Sequence, residues 1–144
     1  MPEAERRPFC PEAGAFISDD AGRLLLVRYR DQPHVWSAPR QPIRFGGEPT
    51  DAAILAALNH ACAGVEIMSP PWYSDHRVPE LGIHDIVFWY QCRYRCRAIN
   101  VPREWVLESA WVHPATVLLH PLMTPASGQS EMLARRALRF GFPG

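Results

Sequence analysis

The chain has 144 residues, 15 basic and 15 acidic side chains, a formal net charge of zero and a hydrophobic fraction of 47%. This length and composition suit a globular protein with a sizeable core and argue against intrinsic disorder. A neutral chain generates no field that would attract nucleic acid or an anionic membrane, so neither partner is expected.

The basic residues and the cysteines limit the kinds of catalytic, anion-binding and metal sites that the chain can form. All basic residues are arginine, which excludes a lysine base or Schiff-base nucleophile and leaves only guanidinium groups to bind anions. The four cysteines (Cys10, Cys62, Cys92 and Cys96) lack the spacing of a structural zinc site, and Cys92 and Cys96 are expected on one face of a strand. The N-terminus lacks the apolar segment of a secretory signal, which predicts a reduced, cytoplasmic protein.

The chain opens with a charged segment and a predicted hairpin. Residues 1–12 contain three prolines and are expected to form a flexible arm, followed by a single domain over residues 13–144. Alternating apolar residues predict strands over 13–18 and 23–29, joined by a turn-rich link.

A long loop over residues 30–47 leads into the central helix. Loops of this length in compact domains are usually functional. Thr50 or Asp51 is predicted to cap the helix, and Gly64 is predicted to end it.

The second half of the chain is rich in strand signals. Strands are predicted over residues 66–73, 83–97 and 108–112, and helical spacing predicts a C-terminal helix over residues 131–140. Strands interrupted by one helix and closed by another predict an α/β fold in which a mixed sheet lies between helices.

The most informative segment is the central helix and the turn before it. A Gly47-Glu48 turn is followed by a helix made mostly of alanine and leucine. This frame resembles the signature box of the Nudix hydrolases, in which glutamates three and four residues apart share one helical face and hold a divalent metal. With the two sequences aligned on Glu48, the family's four charged positions fall on Ala56, Ala57, His60 and Ala61.

Segments outside the helix are also similar to the Nudix family. Gly14–Ile17 and Gly22–Arg28 resemble its opening hairpin, Trp36–Pro39 resembles its Trp-x-Leu-Pro lead-in, and Glu108–Trp111 resembles its Glu-x-x-Trp strand. Arg40 and Gln41 replace the double glycine that follows the lead-in. The resemblance implies a Nudix-like α/β/α sandwich with a mixed sheet.

What the resemblance implies about activity is limited by the missing carboxylates. Nudix enzymes use magnesium held by carboxylates to hydrolyse a diphosphate. Because most of these ligands are absent, ordinary magnesium-dependent hydrolysis is not expected and no cofactor is predicted. The leading hypothesis is a small-molecule-binding protein, or a metal-poor enzyme, that uses the former diphosphate cleft. An active hydrolase of a nucleoside-diphosphate-linked compound, with relocated magnesium ligands, is the main alternative.

Three residues are candidates for a reduced metal or catalytic site: Glu48, His60 and Glu108. The resemblance places Glu48 and His60 on the former catalytic helix, and Glu108 on a neighbouring strand. Imidazole suits zinc or iron better than magnesium. A histidine that simply forms a local hydrogen bond is the other interpretation of His60.

Further candidates lie in the loop before the helix and near the predicted cleft. Arg40 and Arg44 are expected to replace the metal as binders of phosphate or carboxylate. Trp36 and Trp72 are expected to offer an aromatic platform for a planar ring. A small, anionic or nucleotide-like molecule is therefore the expected ligand.

A polar cluster, Asp75-His76-Arg77, is a further candidate for catalysis and binding, because an aspartate can orient a histidine as a general base. His84 and Asp85 form a similar sequence pair. They are adjacent in a predicted strand and so point to opposite faces, which prevents a direct contact.

The small side chains of the helix have three possible meanings. An apolar stripe is formed by Ala53, Ala56, Ala57, Ala61 and Gly64. The stripe can leave room for a ligand, fill the protein's own core, or pack against a partner or a second copy of the chain. The last possibility defines a protein-interaction module, including a homodimer, as a further alternative.

Overall fold

The computed structural model describes residues 9–30, 33, 36–98 and 104–119. The strands in this part of the chain are β1 (Phe9–Ser18), β2 (Leu24–Tyr29), β3 (Trp36–Ser37), β4 (Arg40–Pro42), β5 (Ala63–Ile67), β6 (Trp72–Val78), β7 (Ile83–Arg97) and β8 (Val106–Val112). The helices are α1 (Pro49–Ala61) and α2 (Pro114–Leu119), and a 3-10 turn over Pro79–Leu81 joins β6 to β7. None of the helices described is long and apolar enough to cross a membrane. The predicted C-terminal helix over residues 131–140 lies outside the described residues.

The strands form one mixed sheet in the order β3-β2-β1-β7-β5, with β4 beside β1, β6 beside β7 and β8 beside β2. β1 and β7 run parallel and the other pairs are antiparallel. The predicted α/β class with a mixed sheet is confirmed.

The central strands match the sequence expectation closely. β7 has the predicted bounds, Ile83–Arg97. β1 begins earlier than predicted, at Phe9, because its first residues continue the parallel pairing with β7. Residues 9–12, assigned from sequence to the N-terminal arm, therefore belong to the sheet.

Two predicted segments divide differently in the structure. The strand expected over residues 66–73 is two strands, because Pro70 and Pro71 lack the backbone N–H that a ladder needs and separate β5 from β6. The loop expected over residues 30–47 contains β3 and β4, which pair with β2 and β1 respectively.

The ends of α1 also differ from prediction. Glu48, rather than Thr50 or Asp51, is the N-cap residue, because the proline that follows it occupies the first helical position. Cys62 ends the helix in a left-handed conformation (φ 52°, ψ 40°), and its N–H donates to the Ala57 carbonyl. Gly64 lies beyond this turn in β5.

The sheet has a core on each face. The helix-side core packs α1 against the sheet and includes Ala13 and Ala15 of β1 with Ala53 and Ala57 of α1. Small residues on both surfaces allow the helix backbone to approach the sheet closely. The far-side core lies on the opposite face and is built around Trp89, which is fully buried.

A register shift corrects the prediction that Cys92 and Cys96 share a face. Gly64 pairs with Cys96 but Val65 pairs with Tyr94, so Arg95 is an extra residue in β7. A bulge of this kind reverses the alternation of side chains beyond it. Cys92 is consequently buried in the helix-side core, whereas Cys96 is exposed.

Candidate functional site

The alanine stripe of α1 is buried against the sheet. Ala56 and Ala57 have no exposed surface and Ala61 is 6% exposed. These are three of the positions that the Nudix resemblance assigns to charged residues. They fill the protein's own core, and their methyl groups offer no oxygen to a metal.

The fourth position, His60, belongs to a hydrogen-bonded cluster at the last turn of α1. The Tyr29 hydroxyl lies 2.8 Å from His60 Nδ1. The same hydroxyl accepts a hydrogen bond from the Arg40 N–H at 3.2 Å and lies 3.5 Å from the Arg40 carbonyl oxygen. One phenol therefore connects the helix to β4.

This geometry favours a neutral His60. Burial lowers the pKa of His60 below its ordinary value of 6.5. Because the Arg40 N–H already donates to the phenol oxygen, the Tyr29 O–H is available to donate to Nδ1. When the O–H donates to Nδ1, the imidazole proton lies on Nε2 and His60 presents an N–H donor to a ligand.

We expect acid to destabilise the fold through His60. Its pKa is lower in the folded state than in the unfolded chain, so the stabilisation is fully present above about pH 6.5 and is lost as the pH falls through the folded-state pKa. Urea unfolding of the wild type and of His60→Gln, at about pH 7.5 and about pH 5, measures the effect. The wild type should lose more stability on acidification than the variant. Equal losses would contradict the prediction.

Glu48 lies at the other end of the helix. Glu48 is exposed at the N-cap position, and its side chain forms no capping hydrogen bond. Burial, and then the charge of Glu48, raise the pKa of Tyr90 on β7. The 1.5 Å rise per helical residue puts Glu48 and His60 about 18 Å apart. These two residues therefore do not form a single site.

Glu108 lies on the far face of the sheet. It is the register partner of Arg28, and its Oε1 forms an ion pair with Arg28 Nη2 at 2.6 Å. In β2, Val27 and Tyr29 face the helix-side core, so Arg28 and its partner point to the opposite side. The structure does not bring Glu108 to His60.

The two tryptophans expected to flank the helix site are also on the far face. Trp36 is 8% exposed in the far-side core, and the Arg28 guanidinium carbon lies 5.7 Å from its ring centroid. Trp72 packs on the same core, edge-on to Phe16 with 6.4 Å between ring centroids. The sheet separates both rings from His60, which corrects the expectation of a shared cleft.

The two loop arginines have different environments. Arg40 Nε lies 3.2 Å from Glu12 Oε2, so its charge is partly compensated by a carboxylate. Arg44 is exposed, in the turn just before α1. The Gly47 N–H donates to the Arg44 carbonyl at 2.7 Å and fixes the backbone of this turn.

Asp75 pairs with a histidine other than its neighbour. Its Oδ1 lies 2.6 Å from His84 Nε2 across the β6–β7 hairpin. Asp75 and His76 are adjacent in a strand, so they point to opposite faces, and the expected Asp75–His76 pair is replaced by a cross-strand pair. The side chains of His76 and Arg77 lie outside the described residues.

The donor set does not fit a magnesium ion. Over the described ranges, no group of three or more His, Cys, Asp or Glu side chains is arranged to hold a metal. Magnesium requires several oxygen ligands in nearly octahedral geometry. The helix offers two carboxylates at its start, Glu48 and Asp51, and an imidazole at its end.

Sequence reasoning missed Tyr29, whose hydroxyl contacts His60. Leu25, Val27 and Tyr29 are two residues apart, and this period places them on one face of β2. The first two are core residues on the helix side. The same two-residue alternation identifies Tyr29 as the β2 side chain that reaches the last turn of α1.

The described residues form an α/β fold in which one helix packs closely on a mixed sheet. No family model matches the sequence, and no curated protein matches it. Solved structures do match. A NUDIX hydrolase from Nitrosomonas europaea is 13% identical with a TM-score of 0.77, over 94% of this chain and 91% of that one.

Two further structures agree with this match. An Ap4A hydrolase from C. elegans is 17% identical with a TM-score of 0.71, over 92% of this chain and 99% of that one. A MutT NUDIX hydrolase from Burkholderia pseudomallei is 16% identical with a TM-score of 0.69, over 90% and 98% respectively. The chain has the Nudix fold, as the sequence resemblance implied.

Proposed function

We propose that this protein is a diverged member of the Nudix superfamily that binds a small anionic ligand without the usual magnesium carboxylates. The burial of Ala56, Ala57 and Ala61 carries the proposal, because these positions contribute to the core and offer no metal ligand. A fold hosts many functions, so the proposal depends on the site and not on the matched structures.

The proposed ligand site lies on the helix side of the sheet. His60 offers an Nε2–H donor when the Tyr29 hydroxyl donates to its Nδ1. Arg40 lies beside this pair through its backbone contacts with the Tyr29 hydroxyl. Arg44 is an exposed cation in the turn before the helix, at the opposite end of α1 from His60, so it contacts only a ligand that extends along the helix. These groups are donors, and they suit phosphate or carboxylate oxygens.

A changed, metal-poor reaction at this site is the catalytic form of the same proposal. With a neutral His60 as hydrogen-bond donor and guanidinium groups nearby, the site is suited to stabilise negative charge on an oxygen. The neutral imidazole tied to Tyr29 is a poor proton acceptor at Nδ1, so this arrangement favours binding over general-base catalysis.

We expect no magnesium binding at roughly millimolar concentration and only background hydrolysis of ADP-ribose or nucleoside triphosphates. Without carboxylates on the buried face of α1, the ion that neutralises a diphosphate has no ligands. Calorimetry with magnesium and a phosphate-release assay measure the two parts. Glu48→Gln is the diagnostic variant. Magnesium-dependent release that this variant abolishes would favour the alternative, an active hydrolase with relocated ligands.

Ligand binding is expected to depend on the loop arginines. A thermal-shift screen of anionic metabolites identifies the ligand, and affinity is then measured for Arg40→Ala and Arg44→Ala. Removing a charged hydrogen-bond donor should cost on the order of 2 kcal/mol of binding. Arg97→Ala, which removes an exposed charge at the end of β7, is the control. If all three variants bind as the wild type does, the arginines are not part of the site.

The interaction-module alternative now depends on a different surface. The alanines are buried, but Ile54 and Leu55 on the outer side of α1 are 39% and 43% exposed, and Phe45 in the preceding turn is fully exposed. These side chains, rather than the alanine stripe, would contact a partner or a second copy. A concentration-dependent dimer that Leu55→Glu dissociates would favour this alternative.

A further inference from the structure

A second group of polar side chains lies on the far face of the sheet, where β1 ends beside β7. Ser18 is 1% exposed, and its hydroxyl has no hydrogen-bond partner. Its register partner in the parallel β1–β7 pair is Arg93, whose Nε–H is also buried without a partner. Paired residues of neighbouring strands are about 4.8 Å apart and project to the same face. Two buried polar groups without a hydrogen-bond partner, a hydroxyl and an Nε–H donor, are therefore neighbours.

The charge of Arg93 is uncompensated within the described part of the chain. Two carboxylates lie in the adjoining positions, and both bind other arginines. Glu66 is the register partner of Arg93 in β5 but forms an ion pair with Arg95. Asp19, which follows Ser18, binds Arg23 at 2.8 Å. No ion pair or hydrogen bond of the Arg93 side chain is found among these residues.

The surroundings strengthen any contact that these donors make. Ser18 pairs with Leu24, which pairs in turn with Val112, and both of these apolar residues are buried in the far-side core. Hydrogen bonds to a charged group are stronger beside such low-dielectric walls. Arg93 as a whole is only half-buried, so a small ligand can approach its guanidinium from solvent, and a shift of this side chain would open the buried Nε–H and the Ser18 hydroxyl to it.

We propose that Arg93 and Ser18 form a binding site for one oxyanion group, a carboxylate or phosphate of a small ligand. The Arg93 Nε–H and the Ser18 O–H donate to its oxygens. A direct hydrogen bond from Arg93 Nε–H to Ser18 Oγ, or a bridging water, would leave the arginine charge unpaired, whereas an oxyanion satisfies both donors and the charge together. The sheet separates this site from the Tyr29–His60 pair, so the two proposals are independent.

The test is titration of the full chain with inorganic phosphate and, separately, with acetate, followed by NMR at the Arg93 Nε–H. We expect saturable shifts that reach Ser18, and the tighter of the two anions identifies the class of ligand. Arg93→Lys keeps the charge but lacks the forked donor, and it should bind about tenfold more weakly. Arg97→Gln, on the same strand, should leave binding unchanged.

Ser18→Ala provides a second test that does not depend on the tolerance of Arg93 to substitution. Removing an unsatisfied buried hydroxyl should leave the fold at least as stable as the wild type, while phosphate or acetate binds several-fold more weakly. Shifts that do not saturate, or equal losses of affinity in Arg93→Lys and Arg97→Gln, would overturn the proposal. Undiminished binding by Ser18→Ala would exclude the serine from the site.

Discussion

Substituting Ala57 by glutamate should destabilise the protein by about 3–5 kcal/mol, which is comparable to the loss caused by breaking a buried ion pair. Ala57 has no exposed surface and packs in the helix-side core. A carboxylate there would lose its hydration without gaining a partner, and its longer side chain would not fit against the alanines of β1. Urea unfolding followed by circular dichroism measures the change.

Ile54→Glu is the matched control on the same helix. Ile54 is 39% exposed, so the same new charge should change stability by no more than about 0.5 kcal/mol. If Ala57→Glu were as stable as Ile54→Glu, the alanine stripe would have to line an open cleft. That result would restore the hypothesis of a ligand or metal cleft along this stripe.

The same variant also bears on function. Restoring a glutamate at a position that the Nudix resemblance assigns to a charged residue should not produce magnesium-dependent hydrolysis, because a single carboxylate does not complete a magnesium site. The alanines that replace charged residues in α1 alter the packing of the helix as well as its chemistry. Alanines on both α1 and β1 bring the helix against the sheet, and this contact leaves no space for a row of carboxylates.

Much of the fold could be predicted from sequence because the strongest signals are local. The long apolar run of β7 gave its bounds, and the box-like frame of α1 indicated both the helix and the Nudix fold. Helix and strand ends were less predictable. Cys62 ends α1 in a left-handed conformation that is uncommon for a residue other than glycine, so the glycine two residues later was the more natural expectation.

The candidate site was harder to predict because it depends on which face of the sheet each side chain occupies. The sequence resemblance groups Trp36 and Glu108 with His60, but the sheet lies between them. Face assignment requires the register of strands that are distant in sequence. The register shifts beside Tyr29 in β2 and beside Val65 in β5 have no evident signature in the local sequence.

Alternation within single strands would have resolved part of this problem. The rule that separates His84 from Asp85 also separates Asp75 from His76, and it places Tyr29 with Val27 on the helix side. This alternation rule cannot identify which side chain of another element each residue contacts. The contacts of Tyr29 with His60 and Arg40 depend on how β4 and the end of α1 are placed around β2.

Gly14→Val should destabilise the protein by about 3 kcal/mol, because a Cβ at this position would lie 2.4 Å from Cζ3 of Trp89 and 3.1 Å from the Pro39 carbonyl oxygen. Trp89 cannot move aside easily, since it is fully buried and its indole N–H donates to Ser74 Oγ at 2.8 Å. Valine favours strands more than glycine does, so without this contact the substitution should stabilise β1. Urea unfolding of Gly14→Val, Trp89→Leu and the double variant tests the cause. The valine should cost at least about 1 kcal/mol less when the indole is absent, and additive losses would show that Trp89 is not the reason for glycine at this position.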